Sequence, residues 1–375
     1  MNPLHGIRVI ESCANVAGPT TGTILGDMGA DVIKIERPSG DDARRFAPPY
    51  IGDIGATFHA VNRNKRSVVL DLKTAEGMAA LRSLVQGADV FIHNMRPGVM
   101  ESLGLSAQDA LALNPRLIYG AISGFGSDGP WRDRAGYDGM AQALSGMAAG
   151  NGDPASKPTV AVGGVVDKSA GMWLAMAVLS ALFRRERTGT GAVVRTSLLE
   201  AALYYRDMAA AQYQASGKVP ARWGNRAPTI VPSDSYATSD GSILITAGAD
   251  AQFSRLAKLV GNPAWIDDPR FATNAARIVN RAALEAELAN IFPSRTSQEW
   301  IDLLTAADIP SAPILDIDQA LVHPQVEALG IFKTVPGHDV KLMAAPWTLD
   351  GERPAIDRFA PSLGEDTKAV LREVD

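Results

Sequence analysis

Short apolar runs alternate with segments of helical pattern over the first third of the chain. Helix-like segments cover about 18–30 and 75–86. Strands that alternate with helices in this way predict βαβ units with parallel strands, and hence an open, doubly wound α/β sheet. The runs with the apolar character of buried strands are RVIE (8–11), DVIKIER (31–37), SVVLDL (67–72), ADVFIHN (88–94) and PRLIYGAIS (115–123).

The pattern changes after Leu203. Residues 215–235 are rich in Gly, Pro and polar side chains, as in a linker or an active-site loop. A hairpin is predicted over 235–248, with its turn at 239–241, and residues 250–305 are mainly helical in pattern. We therefore predict a large Rossmann-like α/β domain (1–204), a linker (205–230), a small α/β domain (231–325) and a return to the large domain (326–375).

Composition and charge exclude several classes of protein. The chain has 375 residues, 46% apolar and 21% charged, which is typical of a globular protein with a sizeable core. Its net charge of −5 argues against a nucleic-acid binder, which would normally present a basic face. The single cysteine, Cys13, excludes an intrachain disulfide and a Cys-rich metal site, and fits a reducing compartment.

The chain shows no pattern of a targeting or membrane segment. The start, MNPLHGIRVIE, lacks a cationic segment followed by an apolar core. The longest strongly apolar run, MWLAMAVLSALF (172–183), is too short to cross a bilayer and predicts a buried helix. We therefore expect a cytoplasmic protein that binds neither membrane nor nucleic acid.

The motif 124-GFGSDG-129 matches the glycine pattern of dinucleotide-binding loops. It follows a predicted strand, but the turn-rich PWRDR (130–134) comes next instead of the helix that a pyrophosphate site requires. We expect a glycine loop that shapes a pocket wall, with a nicotinamide site as the less favoured alternative. The five histidines show no metal-ligand spacing, so no metal site is predicted.

Asp167 is a lone carboxylate between a glycine-rich segment and the apolar run. We expect the following helix to begin near Lys168, which would place Asp167 at or beside its N-cap. There the unpaired N–H groups and the helix dipole would hold the carboxylate ionised. That environment suits a structural cap and a nucleophile equally, and position alone does not decide between them.

Separate motifs along essentially the whole chain resemble one known family. They are 16-VAGP-19, 28-MGADVIKIERP-38, 62-NRNKRSVVLDLK-73, 94-NMRPGVMESLGL-105, 124-GFGSDGP-130, 136-GYDGMAQALSGM-147, Asp167 with its helix, and 187-RTGTGAVV-194. In these stretches the sequence resembles the family III CoA-transferases, the group of formyl-CoA transferase, the carnitine and bile-acid CoA-transferases and α-methylacyl-CoA racemase. The resemblance implies an interlocked homodimer, with the active site between the large domain of one chain and the small domain of the other.

The resemblance also implies site residues. Asp167 would be the nucleophile that forms an acyl anhydride and then a CoA thioester. Gly163, Gly164 and Tyr137 would lie beside the acyl group of the substrate. Coenzyme A would be part of the substrate, with no cofactor bound covalently. The residues implied to contact CoA are Val16, Ala17, Arg37, Leu70, Lys73, Asn94 and Met95.

Two departures from the family pattern bear on substrate and chemistry. Ala17 replaces the glutamine of formyl-CoA transferase and the GGGGQ loop of that enzyme is missing, which argues against formyl/oxalate specificity. Tyr137 stands where the racemases have an acid/base histidine, and a tyrosine, with an ordinary pKa near 10, is a poor proton shuttle. Transfer is favoured over the alternatives, a racemase or epimerase of the same fold and a non-catalytic acyl-CoA-binding protein.

The sequence leaves the acids open. Four arginines in loops near the motifs could bind a second carboxylate, which would suit a small dicarboxylate such as succinate. Solvated surface arginines explain them equally well. They are Arg44, Arg45, Arg132 and Arg134.

Overall fold

The computed structural model describes residues 2–335 and 337–373, which form two compact units. The first unit contains the chain as far as Ala148, Val160–Lys218, and the chain from Leu329 onward. The second unit contains Ala149–Thr159 and Val219–Ala328. The second unit therefore consists of a short segment, which interrupts the first unit in the sequence, and a long continuous segment.

A six-stranded parallel sheet forms the centre of the first unit. Its order is β3-β2-β1-β4-β5-β6, so the chain winds outward in opposite directions from the β1–β4 pair. The predicted parallel α/β sheet is confirmed, and β6 is a strand that the pattern did not reveal. The strands are β1 Arg8–Ser12, β2 Asp31–Glu36, β3 Lys65–Val69, β4 Val90–His93, β5 Ile118–Ser123 and β6 Ala192–Ser197.

Helices cover both faces of this sheet. Because side chains alternate along a strand, β1 presents Val9 to one face and Ile10 to the other. Helices α1 and α5 pack on the Val9 face, and α2 and α3 on the Ile10 face. The main helices of this unit are α1 Ala17–Asp27, α2 Ala75–Gln86, α3 Ala107–Leu113, α4 Asp138–Leu144, α5 Val165–Thr188, α6 Leu198–Tyr204 and α7 Asp207–Ser216.

Helix α5 is longer than the apolar run suggested. It has 24 residues, and by length and composition it is the one described helix that could cross a bilayer. Half of that stretch is buried inside the structure, where it packs against the sheet and α1. This burial is typical of the core helix of an α/β unit.

Buried charges connect the first three strands. Glu11 on β1 accepts from Lys34 Nζ on β2 at 3.1 Å and lies 2.8 Å from Lys65 Nζ on β3. Asp41 completes the group at 2.9 Å from Lys34 Nζ, and all these side chains are buried. Burial opposes charge on Lys34, but Glu11 and Asp41 raise its pKa, whereas burial lowers the pKa of Lys65 to about 8. The network fixes the strands that carry the site loops.

The second unit is built on a three-stranded antiparallel sheet in the order β9-β8-β7. The predicted hairpin is confirmed as β7 Ser233–Ala237 paired with β8 Ser242–Thr246, and β9 is Ser311–Pro313. Its aromatic core includes Phe253, Phe292 and Trp300. The main helices are α8 Asp250–Leu259, α9 Arg281–Ile291 and α10 Ser297–Ala306.

Short elements complete the described chain. Helix α3 begins with a capping box of Ser106 and Asp109, and α10 with one of Thr296 and Glu299. Two short antiparallel ribbons pair Tyr50–Ile51 with Ile54–Gly55, and Phe332–Thr334 with Lys341–Met343. The remaining short helices are Asp42–Arg45, Ala56–Ala60, Val99–Ser102, Met147–Gly150, Pro263–Ile266, Asn274–Val279, Phe292–Ser294, Ile317–Leu321, Pro324–Leu329 and Thr367–Leu371.

Candidate active site

A cavity of about 170 Å3 opens at the carboxyl ends of β1, β4 and β5. The loops after these strands and the start of α5 form its walls, and Asp167 lines it together with Val16, Ala17 and Tyr137. We call it the Asp167 cavity. It lies where the winding of the sheet diverges, between β1 and β4, which is the place where open α/β sheets usually bind ligands.

Asp167 lies inside its helix and is not the N-cap. The sequence had suggested a position at or beside the N-cap. Helix α5 begins at Val165, with Gly164 at the N-cap, so Asp167 is the third helical residue. Asp138 supplies the capping oxygen instead. Its Oδ2 accepts hydrogen bonds from the backbone N–H groups of Val166 at 2.8 Å and Asp167 at 3.1 Å. The Asp167 carboxylate is therefore left free to face the cavity.

The charge state of Asp167 also differs from the expectation. Burial, which is the larger cause, and the nearby Asp138 carboxylate together raise the pKa of Asp167 to about 6. The prediction that the helix end would favour the ionised form is thus wrong in direction, because burial and a like charge outweigh the dipole. At neutral pH the carboxylate is still mostly ionised, and it is more basic than an exposed aspartate.

The two glycines before α5 bring backbone close to Asp167. Gly163 and Gly164 have φ of 85° and 65°, in the left-handed region that favours glycine. A Cβ built on Gly164 would lie 3.7 Å from Val16 and 3.9 Å from Asp167 Oδ2, so Gly164 adjoins the Asp167 carboxylate. Gly163 has open space around its Cα.

The glycine loop 124–129 forms part of the cavity wall, as predicted. No helix follows it until Asp138, so it lacks the helix of a dinucleotide site. A Cβ on Gly124 would lie 2.8 Å from Gly136 Cα, which means that two backbones cross at this point with no room for a side chain. Tyr137, next to that crossing, is 58% exposed and lines the cavity.

The loop after β1 is held by two side chains. Asn94 accepts from Ala14 N at 2.9 Å and donates to Ala14 O at 2.7 Å. Asp41 accepts from Asn15 N at 3.0 Å, which fixes Asn15 at a φ of 66°. Val16 follows directly, so these contacts set the wall opposite Asp167.

A second cavity, of about 360 Å3, adjoins the first at Asn94 and Met95. We call it the Arg37 cavity. Arg37 and Lys73 line it, and Arg37 is exposed and pairs with Asp42 at 2.5 Å. Its other lining is largely apolar, and includes Leu72. Leu70, which the resemblance implied, is buried and lies outside the lining.

A third cavity, about 340 Å3 in volume and mostly polar, shares Met95 with both of the others. His93 lines it and forms a 2.9 Å hydrogen bond through Nε2 with the Tyr119 hydroxyl. Burial, which is the larger cause, and the Arg195 charge together lower the pKa of His93 to about 4. His93 is therefore neutral at physiological pH.

Sequence reasoning missed the role of Asp138. The dipeptide 137-YD-138 was visible, but the contact of Asp138 with the start of α5 spans almost thirty positions of chain and has no local signal. Of the arginines proposed for a second carboxylate, only Arg134 lines the Asp167 cavity. Arg44 binds Glu36 through two nitrogens, and Arg45 pairs with Asp42. Among the described residues no cluster of side chains suited to a metal ion is found.

Comparison with known proteins agrees with this geometry. The model of CoA-transferase family III matches residues 4–367. The chain is similar to a succinate–glutarate CoA-transferase of Agrobacterium fabrum, with 39% identity over all of this chain and 96% of the relative. A human succinyl-CoA:glutarate CoA-transferase is 33% identical over all of this chain and 87% of the relative.

A solved structure leads to the same conclusion. The structure of a CaiB/BaiF family protein from Brucella suis matches with a TM-score of 0.93 and 38% identity, and covers all of both chains. The family match, the similar relatives and the shared fold extend over nearly the whole sequence. The chain therefore belongs to the family III CoA-transferases.

Proposed function

We propose that this protein transfers CoA between two carboxylic acids through covalent intermediates on Asp167. The observation that supports it best is the setting of that side chain. Asp167 lines a cavity at the divergence point of the sheet, and burial keeps the pKa near 6. A carboxylate nucleophile needs to be ionised yet basic at neutral pH, and this environment supplies both conditions.

The chemistry would run in four balanced steps. An oxygen of Asp167 attacks the thioester carbonyl carbon of the donor, and CoA thiolate leaves as a mixed anhydride forms. The thiolate then attacks the Asp167 carbonyl carbon, which gives an aspartyl-CoA thioester and releases the donor acid as a carboxylate. The acceptor carboxylate attacks the carbonyl carbon of this thioester, which expels CoA thiolate and forms a second mixed anhydride. The thiolate finally attacks the acceptor acyl carbon of that anhydride, which gives the product acyl-CoA and restores the Asp167 carboxylate.

The intermediates would have to be kept from water, because hydrolysis would waste the thioester. Gly164 places main chain against Asp167, and the crossing of Gly124 and Gly136 closes the wall beside it. Close backbone of this kind can exclude solvent and offer N–H groups to a developing oxyanion. We propose Tyr137, Gly163 and Gly164 as the residues beside the acyl group.

CoA would occupy the Arg37 cavity and reach Asp167 past the residues that both cavities share. Arg37 and Lys73 are cations suited to phosphates, and the apolar lining suits the adenine and pantetheine portions. We propose that Val16, Ala17, Asn94 and Met95 flank the pantetheine, and that Leu70 supports the wall from behind. CoA would act as a substrate, with no cofactor bound covalently.

The substrates would be small dicarboxylic acids. Relatives similar over the whole chain are named for succinate and glutarate, and a 34% identical relative from Chloroflexus aurantiacus is named for succinyl-CoA and D-citramalate. The Asp167 cavity, at about 170 Å3, suits a short acyl chain. This proposal gives the direct assay, which is exchange of CoA between succinyl-CoA and isotopically labelled glutarate.

We also propose a cytoplasmic, interlocked homodimer. A groove of about 430 Å3, lined mainly by apolar residues of α1, α5 and α6, is unpartnered in the described chain, and Met208 on α7 is 73% exposed. Apolar surface of this extent favours an obligate partner. In such a dimer the small unit of one chain would complete the site of the other, and the buried free thiol of Cys13 suits a reducing compartment.

The racemase alternative has a separate readout. Racemisation exchanges the α-hydrogen, so acyl-CoA recovered from deuterated water would carry deuterium. Transfer exchanges CoA between acids and leaves that hydrogen in place. We expect CoA exchange without deuterium incorporation, because Tyr137 is a poor proton shuttle at neutral pH. Deuterium incorporation without exchange would favour the racemase, and tight CoA binding with neither would favour a binding protein.

A further inference from the structure

Two cations line the Asp167 cavity without an ion-pair partner. Arg96 and Arg134 are both exposed there, and neither lies within 4.0 Å of a carboxylate among the described residues. The nearby exposed Arg132, by contrast, pairs with Asp133 at 3.3 Å. Unpaired guanidinium groups in a cavity with a catalytic carboxylate are available to an anionic ligand.

Arg134 is held in place by aromatic stacking. Its guanidinium carbon lies 4.1 Å from the centre of the Trp131 ring. Trp131 in turn packs edge-on against the buried Phe125, with ring centres 5.1 Å apart at 89°. Stacking occupies the flat face of a guanidinium and leaves the N–H groups on its edge, which match a carboxylate in a bidentate pair. The group is thus positioned before any ligand arrives.

The charge of the cavity makes such a cation necessary for a diacid. Asp167 lines the cavity, and Asp138, which follows the lining residue Tyr137, accepts hydrogen bonds from the Asp167 N–H and from Gln142. A substrate that carries a second carboxylate would be repelled from this site unless a cation met the far end of its chain. A monocarboxylic acyl group has no such requirement.

We propose that Arg134 binds the terminal carboxylate of dicarboxylic acyl groups and thereby determines their selection over monocarboxylic ones. This inference rests on the proposed function, which places the acyl group beside Asp167. It assigns the selection to one residue and excludes Arg44, Arg45 and Arg132, whose guanidinium groups already pair with carboxylates elsewhere.

The test compares binding of succinyl-CoA and butyryl-CoA, which have acyl chains of the same length and differ in the terminal carboxylate. Titration calorimetry is done in the Asp167→Asn background, where no adduct can form. We expect succinyl-CoA to bind roughly 10- to 100-fold more tightly, as a charge-assisted pair provides. Arg134→Gln should abolish this difference, and the matched control Arg132→Gln should keep it.

Each other outcome has a defined meaning. Equal affinity for succinyl-CoA and butyryl-CoA in the Asp167→Asn protein that retains Arg134 would overturn the inference. An equal loss of affinity for both thioesters in the Arg134→Gln variant would also overturn it, because Arg134 would then bind the CoA portion. The proposed function fails separately, if the binding difference is present but the wild-type protein neither exchanges CoA nor forms an adduct. If neither thioester binds, both proposals fail.

Discussion

Asp138 acts on Asp167 in two ways at once. Its carboxylate takes the first free N–H groups of α5, which releases Asp167 from a capping role. The same negative charge adds to the effect of burial and raises the pKa of Asp167. One side chain thus positions the proposed nucleophile and makes it more basic.

The Asp138→Asn variant separates these effects. Asparagine keeps an acceptor oxygen for the α5 N–H groups but removes the charge, so the pKa of Asp167 should fall below about 6. The acid limb of the rate of adduct formation should then move to lower pH. Mass spectrometry of samples quenched at fixed times, between about pH 4 and pH 8, would show this shift of the acid limb. An unmoved limb would mean that Asp138 acts only as a cap.

The raised pKa of Asp167 also has a consequence for stability. Its folded-state pKa, about 6, lies above the ordinary value of 3.8, so the folded protein binds this proton more tightly than the unfolded chain. The resulting stabilisation is present below about pH 4 and is lost as pH rises through 6. Above pH 6 the ionised group therefore costs free energy.

We predict that Asp167→Asn stabilises the protein at about pH 8. The gain should be on the order of 2 kcal/mol, because the neutral amide avoids the cost of a buried charge. The free energy of unfolding is measured with urea at about pH 8 and pH 4. The difference in this free energy between variant and wild type should vanish at the lower pH. Equal stability at both pH values would contradict the assigned environment.

The resemblance indicated which residues lie together, but the sequence did not predict their local geometry. The resemblance pointed to Asp167, Val16, Ala17, Tyr137, Asn94 and Met95, and the structure brings them to one cavity. The cap assignment failed because a residue distant in sequence supplies the oxygen. Rules for helix capping consider only residues that adjoin the helix in sequence. They therefore do not predict a capping contact from α4 to α5.

At the scale of elements, the buried network of Glu11 carries a clear prediction. Among the described residues, Glu11→Gln would remove the carboxylate partner of Lys65 and one of the two carboxylate partners of Lys34, and all of these side chains are buried. Breaking one side of a buried ion pair typically costs about 3–5 kcal/mol. We expect the free energy of unfolding, measured with urea at neutral pH, to fall by this amount.

A double variant serves as the control. Glu11→Met with Lys65→Met removes both charges of the closer pair and retains similar volume, and Lys34 keeps Asp41. It should recover much of the stability lost in Glu11→Gln. A single variant as stable as wild type would show that the network contributes little to the fold.

The elements themselves were mostly predictable. The first five strands of the parallel sheet follow from periodicity, and the structure confirms them. Strand β6 escaped because Ala192–Ser197 includes Arg195 and polar residues, as suits an edge strand. The start of α5 escaped because Gly163 and Gly164 obscured the boundary, and Val165 and Val166 favour strands on their own.

At the scale of the whole molecule, the proposed interlocked dimer makes a kinetic prediction. Two chains that thread through each other cannot separate without unfolding. Native mass spectrometry should therefore show a dimer at nanomolar concentration, and mixing of tagged with untagged dimers should give no mixed dimer over hours. Unfolding and refolding of the mixture should produce it. Rapid exchange, or a monomer that appears on dilution, would contradict the interlocked arrangement.

The measurement that tests the central claim most directly is the mass of the intact protein after incubation with succinyl-CoA. We expect wild type to gain the mass of CoA less one water, released by hydroxylamine and mapped by peptide analysis to Asp167. The Asp167→Asn protein should bind the thioester and show no gain. An adduct on another residue, or none at all under conditions where CoA exchange proceeds, would contradict Asp167 as the nucleophile.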